Sequence, residues 1–131
     1  MEKINQKDLI GISALLVHAA KIDENYSHKE KKIILNFINK VIDNNSNCDQ
    51  ILKEAENLEN NSNQLLNFTN EIKKKGNDFK SSIIEEVWRI VLSDKDIDNY
   101  ESNLVRRICG LIYFSDKESG EIKLKISKEN S

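Results

Sequence analysis

Apolar residues recur every three to four positions along most of this chain, the spacing of one face of an α-helix. Residues 28–43 show it most clearly: Ile33, Ile34, Phe37, Ile38, Val41 and Ile42 return in pairs every four residues. Residues 78–93 repeat it with Phe79, Ile83, Ile84, Val87, Trp88, Val91 and Leu92, and residues 99–114 with Leu104, Val105, Ile108, Cys109, Leu111 and Ile112. Residues 6–24 carry a broader apolar face built on Leu9, Ile12, Leu15, Leu16, Ala19 and Ala20, which predicts a central helix. Shorter helices are predicted over 49–59 and 63–75, the second ending in "KKKGN", basic residues followed by glycine. "SDKE" at 115–118 is a capping box for a last short helix. Ile122, Leu124 and Ile126 alternate beyond it like a strand, and Gly120 weakens a helix there.

These elements predict a single all-α domain over residues 1–131, a bundle of six to seven helices with its core at about 5–127. The four strong helices form two pairs, 6–24 with 28–43 and 78–93 with 99–114, read as two pseudo-symmetric helix-loop-helix units. The absence of proline suits helices and disfavours a turn-rich β fold.

The polar residues between the paired helices carry the candidate chemistry. "DENYSHKE" (23–30) aligns with "DKDIDNYE" (94–101): Asp23 falls on Asp94, Asn25 on Asp96, Ser27 on Asp98 and Glu30 on Glu101. Tyr26 and Ile97 precede the third oxygen-bearing position in the two copies. Helix capping explains part of this pattern. Ser27 with Glu30, and Asp98 with Glu101, fit the capping box, and each cap contributes about 1 kcal/mol.

Capping leaves Asp23, Asn25, Asp94 and Asp96 unexplained. Side-chain oxygens at positions 1, 3, 5 and 8 of a tight loop suit a hard cation, Ca²⁺ or Mg²⁺. The loop is not an EF-hand, which spaces its ligands to position 12 and needs a glycine at 6. Two carboxylates about 6 Å apart repel by roughly 3 kcal/mol at an effective dielectric near 20. A cluster of four acids therefore calls for a cation, a basic partner or wide exposure to salt-screened water. The candidate metal ligands are Asp94, Asp96, Asp98 and Glu101 in the second loop, and Asp23, Asn25 and Glu30 in the first.

The charge balance excludes other classes. A net charge of −2 and a pI near 5.8 leave no footprint for nucleic acid. The basic runs Lys73–Lys75 and Arg106-Arg107 are not interleaved with aromatic residues. No segment approaches the ~20 apolar residues of a membrane span, and "MEKINQKDLI" lacks a secretory pattern, so the expected location is the cytoplasm. In that reducing setting Cys48 and Cys109 are expected to stay unpaired. His18 reads as a partly buried structural residue and His28 as a solvated one. Glu85 and Glu86 are expected on a solvated edge. No nucleophile motif, phosphate loop or dinucleotide fingerprint occurs, so no enzyme activity is expected.

"LLVHAAKIDENYSHKEKKII" and "EEVWRIVLSDKDIDNYESNLVRRICGLI" together resemble the TerB-like family, named after the tellurite-resistance protein. Its members have an apolar helix ending in an acidic loop, and a "WR"-containing helix, here Trp88-Arg89, leading into a second one. The resemblance implies an all-helical domain with internal pseudo-symmetry and an acidic surface proposed to bind divalent cations, in tellurite resistance or stress response. It lands on Asp94, Asp96, Asp98, Glu101, Asp23 and Glu30; Asn25 stands where the family has glycine or an acid, and Ser27 is neutral. The alternative reading is a protein-interaction module whose acidic loops cap helices and contact a basic protein partner without metal.

Overall fold

The computed structural model describes residues 6–21, 26, 28–42, 48–61, 66–93 and 99–129, with side chains at all of these except 66, 67 and 99–102. The order is α1 (Gln6–Lys21), α2 (His28–Val41), α3 (Cys48–Asn60), α4 (Leu66–Thr69), a 3₁₀ turn (Ile72–Lys74), α5 (Asn77–Ser93), α6 (Asn99–Ile112) and α7 (Asp116–Glu129). The architecture is an all-α bundle, with no strand among the described residues.

The central helix is α1. Leu9, Ile12, Ser13, Ala14, Leu15, Leu16, Val17, Ala19 and Ala20 are all buried, so it lacks the polar face of a surface helix. It packs on α2, α3, α4 and α5. The second hub is α5, which packs on α1, α2, α6 and α7, so the two long pairs have different neighbours. Phe37, Phe79, Ile34, Ile38, Ile83, Ile84, Ile108 and Ile112 join the same core. None of these helices is long and apolar enough to cross a membrane.

The helix expected over 63–75 is instead the single turn α4 followed by the 3₁₀ turn. Phe68 and Ile72 are buried, but Asn67, Thr69 and Asn70 are weak helix formers. Gly76 does not end a helix either. Its carbonyl accepts the Lys80 amide at 3.1 Å, so it opens α5.

The C-terminal segment is helical. Ser115 Oγ accepts the amides of Lys117 (3.1 Å) and Glu118 (3.3 Å), the expected cap. Ile122 and Ile126 are buried one turn apart while Leu124 is exposed, which replaces the apparent strand alternation with helical spacing. Before this cap, α6 ends in a Schellman motif: Phe114 N–H donates to Cys109 O at 2.8 Å and Tyr113 N–H to Gly110 O at 3.4 Å. Tyr113 occupies the left-handed position there, with φ 59°.

Candidate functional site

The second acidic block begins where α5 stops. The last carbonyls of a helix lack amide partners and carry its negative dipole end. Two side chains meet that need at Ser93. Its hydroxyl donates to Ile90 O at 2.6 Å, and the Lys29 ammonium donates to Ser93 O at 3.0 Å. Residues 94–98 follow, and α6 starts at Asn99. Asp94, Asp96 and Asp98 lie outside the described residues. Glu101 falls in the first turn of α6, its side chain also outside the description.

The first block begins where α1 stops, at Lys21, and ends in the first turn of α2. Asp23, Asn25 and Ser27 lie outside the described residues. Glu30 is described and is buried, at 4% exposure. It faces a polar cluster built from three helices. Tyr26 donates its hydroxyl to Glu56 Oε2 at 2.6 Å, and Lys31 lies 3.7 Å from the same oxygen and 5.0 Å from the Tyr26 ring centre. One turn along α3, Glu59 accepts Lys21 Nζ at 2.9 Å and sits 3.2 Å from His18 Nδ1. The His18 ring also tilts against Phe68, so it is the half-buried structural residue expected.

The electrostatic result falls on Tyr26. Burial, the hydrogen bond to Glu56 and the negative charges of Glu56, Glu30 and Glu59 push its phenol well above the ordinary value of 10.0. The phenol therefore acts as a fixed hydrogen-bond donor beside a carboxylate group rich in oxygen. Glu56 and Glu59 are additions that sequence reasoning passed over. Their spacing on one edge of α3, beside Ile51, Leu52 and Ala55, was the available signal.

The Lys29–Ser93 bond joins the two blocks. It brings the residue before Asp94 against the residue before Glu30. The donor chemistry is carboxylate, amide and hydroxyl oxygen, the set hard cations prefer. Among the described residues, no group of three or more His, Cys, Asp or Glu side chains is arranged to hold a metal ion.

The other candidates resolve differently. Glu86, expected at a solvated edge, is buried at 4% exposure. Arg89 Nη1 donates to its Oε2 at 3.0 Å, and Lys40 Nζ lies 3.4 Å from the same oxygen. Arg89 also reaches Glu129 of α7 at 3.3 and 3.4 Å. Its neighbour Trp88 is buried and donates Nε1–H to Ser119 Oγ at 3.1 Å. Cys48 and Cys109 are free thiols, and burial pushes the Cys109 thiol up.

A family model described as "Tellurite resistance protein TerB" matches residues 9–124. The chain belongs to the TerB family. The TerB match runs from α1 into α7 and takes in both acidic blocks and the Trp88-Arg89 pair. In this TerB chain those two residues tie α5 to α7, Trp88 through Ser119 and Arg89 through Glu129. Comparison with curated proteins and with solved structures gives no match.

Proposed function

We propose that this TerB-family chain is a non-enzymatic helical domain that binds a divalent cation, Ca²⁺ or Mg²⁺, at its acidic corner. Asp94, Asp96, Asp98 and Glu101 are the principal ligands, and Asp23, Asn25 and Glu30 extend the oxygen set from the first corner. Tellurite resistance or a related stress response is the setting that family membership favours.

One observation carries the reading: the Lys29 ammonium on the Ser93 carbonyl holds the end of α5 beside the first turn of α2. The two acidic blocks thus attach to adjacent helix ends. In general, two carboxylates about 6 Å apart repel by roughly 3 kcal/mol at an effective dielectric near 20, and a bound cation relieves repulsion of that kind. Of the two lysines that flank Glu30 in sequence, Lys29 directs its charge to a main-chain carbonyl and Lys31 lies 3.7 Å from Glu56.

Thermal melting of chelator-treated protein with and without Ca²⁺ or Mg²⁺ tests it. A ligand at ten times its dissociation constant adds about 1.4 kcal/mol, or about 5 °C for a domain of this size. The Asp94→Asn, Asp98→Asn double variant should lose the shift. Indifference of the parent protein to both ions, with a salt-sensitive complex to a basic partner, would favour the interaction-module alternative instead.

A further inference from the structure

Three residues, 113–115, turn the chain from α6 into α7. Tyr113 takes the left-handed conformation there, at φ 59°, where glycine is the favoured residue. Its side chain gains little in return, being 75% exposed. The corner is therefore both short and strained. Such a hinge is the setting in which one copy of a chain exchanges an element with another.

The element beyond the corner suits exchange. α7 rests chiefly on α5 and only lightly on α6, the helix that precedes it. Three of its fourteen residues are buried: Ser119, Ile122 and Ile126. Its polar ties reach α5. Trp88 Nε1–H donates to Ser119 Oγ at 3.1 Å, Lys125 Nζ donates to Glu85 Oε1 at 2.7 Å, and Arg89 Nη2 donates to Glu129 at 3.3 Å. These contacts match α7 to its seat without using the corner, so α7 of a second copy meets them equally well.

The opened corner also has a defined form. Continued from α6 at helical period, the sequence places Leu104, Ile108, Ile112, Ser119, Ile122 and Ile126 in one stripe. All six are buried in the fold. A straight helix through the corner keeps them on one side, gives the amides of residues 113–115 ordinary helical partners and releases Tyr113 from its left-handed conformation. The cost falls on Phe114, which is buried now and lies outside that stripe. The single-chain form thus prevails in dilute protein, and exchange gains with concentration. We infer that the seat of α7 is an interaction surface for a second copy of this chain: α6 and α7 straighten into one helix, and each α7 docks on α5 of the other copy. The inference is independent of cation binding at residues 94–101.

The test uses the full chain, unfolded in urea, refolded at a series of protein concentrations and sized by chromatography with light scattering. A dimer should appear, its share rising with the concentration at refolding. Equimolar Glu85→Cys and Lys125→Cys chains, both in a Cys48→Ser, Cys109→Ala background, are refolded together and treated with a short bismaleimide. A covalent pair joining the two variant positions across chains should form, located by peptide mass spectrometry. Asp116→Pro suits the first position of α7 but blocks a helix through the corner. It should lower the dimer share about tenfold or more while the monomer keeps its circular dichroism. Tyr113→Gly, which relieves the closed corner and weakens the straight helix, should lower it about fivefold. Protein that stays monomeric at every concentration would overturn the inference. So would a dimer without the cross-chain bridge, or one that both corner variants leave undiminished.

Discussion

The ammonium of Lys29 donates to the main-chain carbonyl of Ser93 at 3.0 Å, across 64 residues of sequence. One end of the bond sits in the first turn of α2 and the other closes α5, so a single side chain ties the helix that the first acidic block enters to the helix that the second block leaves. Replacing Lys29 by methionine keeps the apolar stem and removes the donor. The exposed contact to a helix C-terminus should cost about 0.5–1 kcal/mol in chemical denaturation. A stability equal to that of the parent would show that water serves the carbonyl equally well.

Tyr26 provides a second check, through pH. Its phenol is pushed up in the folded chain, chiefly by burial, then by Glu56. A raised pKa means that the folded state favours the protonated phenol. Its stabilising contribution is complete below the ordinary value of 10.0 and declines as the pH rises beyond it. Alkaline spectrophotometric titration should therefore show one phenol that ionises only as the protein unfolds, and Tyr26→Phe should remove that phenol. At neutral pH the same variant should lose about 1 kcal/mol, the net contribution of a hydrogen bond to a charged acceptor at a half-buried site.

Glu86 is buried between Arg89 and Lys40. Glu86→Ala strips Arg89 of its shorter contact and leaves Glu129 as its one acidic partner among the described residues. The expected loss is about 2 kcal/mol, and Glu86→Gln, which keeps the shape and one acceptor, should lose about half as much. Urea denaturation of both variants would check the order. A neutral effect of Glu86→Ala would place the network among surface pairs of little consequence.

Tyr113 is 75% exposed and sits at φ 59°, where a β-carbon costs energy. Its ring lies 6.0 Å from Lys73 Nζ, a weak compensation at an exposed site. Tyr113→Gly should raise the melting temperature by about 2 °C, and Tyr113→Ala, which drops the ring without relieving the backbone, should lower it.

The sequence pattern reached the long helices because each keeps one apolar stripe over several turns. Ile33, Ile34, Phe37 and Ile38 define α2 in the sequence and become its buried or half-buried face in the fold. The segment 63–75 misled because Leu65, Leu66, Phe68 and Ile72 have helical spacing, while Asn67, Thr69 and Asn70 do not sustain a helix. Glu86 was legible and passed over: it stands three residues after Ile83 and four before Ile90, on the core stripe of α5. The candidate site divides in the same way. Glu30 was identified from local spacing, but the cluster around it comes from α3, where Glu56 and Glu59 meet Tyr26, Lys21 and His18 across 30 to 41 residues. No periodicity reports a contact at that separation; tertiary packing sets it.

The central claim is that the acid of residues 94–101 holds a divalent cation. Calorimetric titration of chelator-treated protein with Ca²⁺, and separately with Mg²⁺, tests it most directly. The account predicts saturable heat with at least one ion, abolished in the Asp94→Asn, Asp98→Asn double variant and reduced in Glu30→Gln. No heat beyond dilution with either ion, from protein that is folded by circular dichroism, would contradict it.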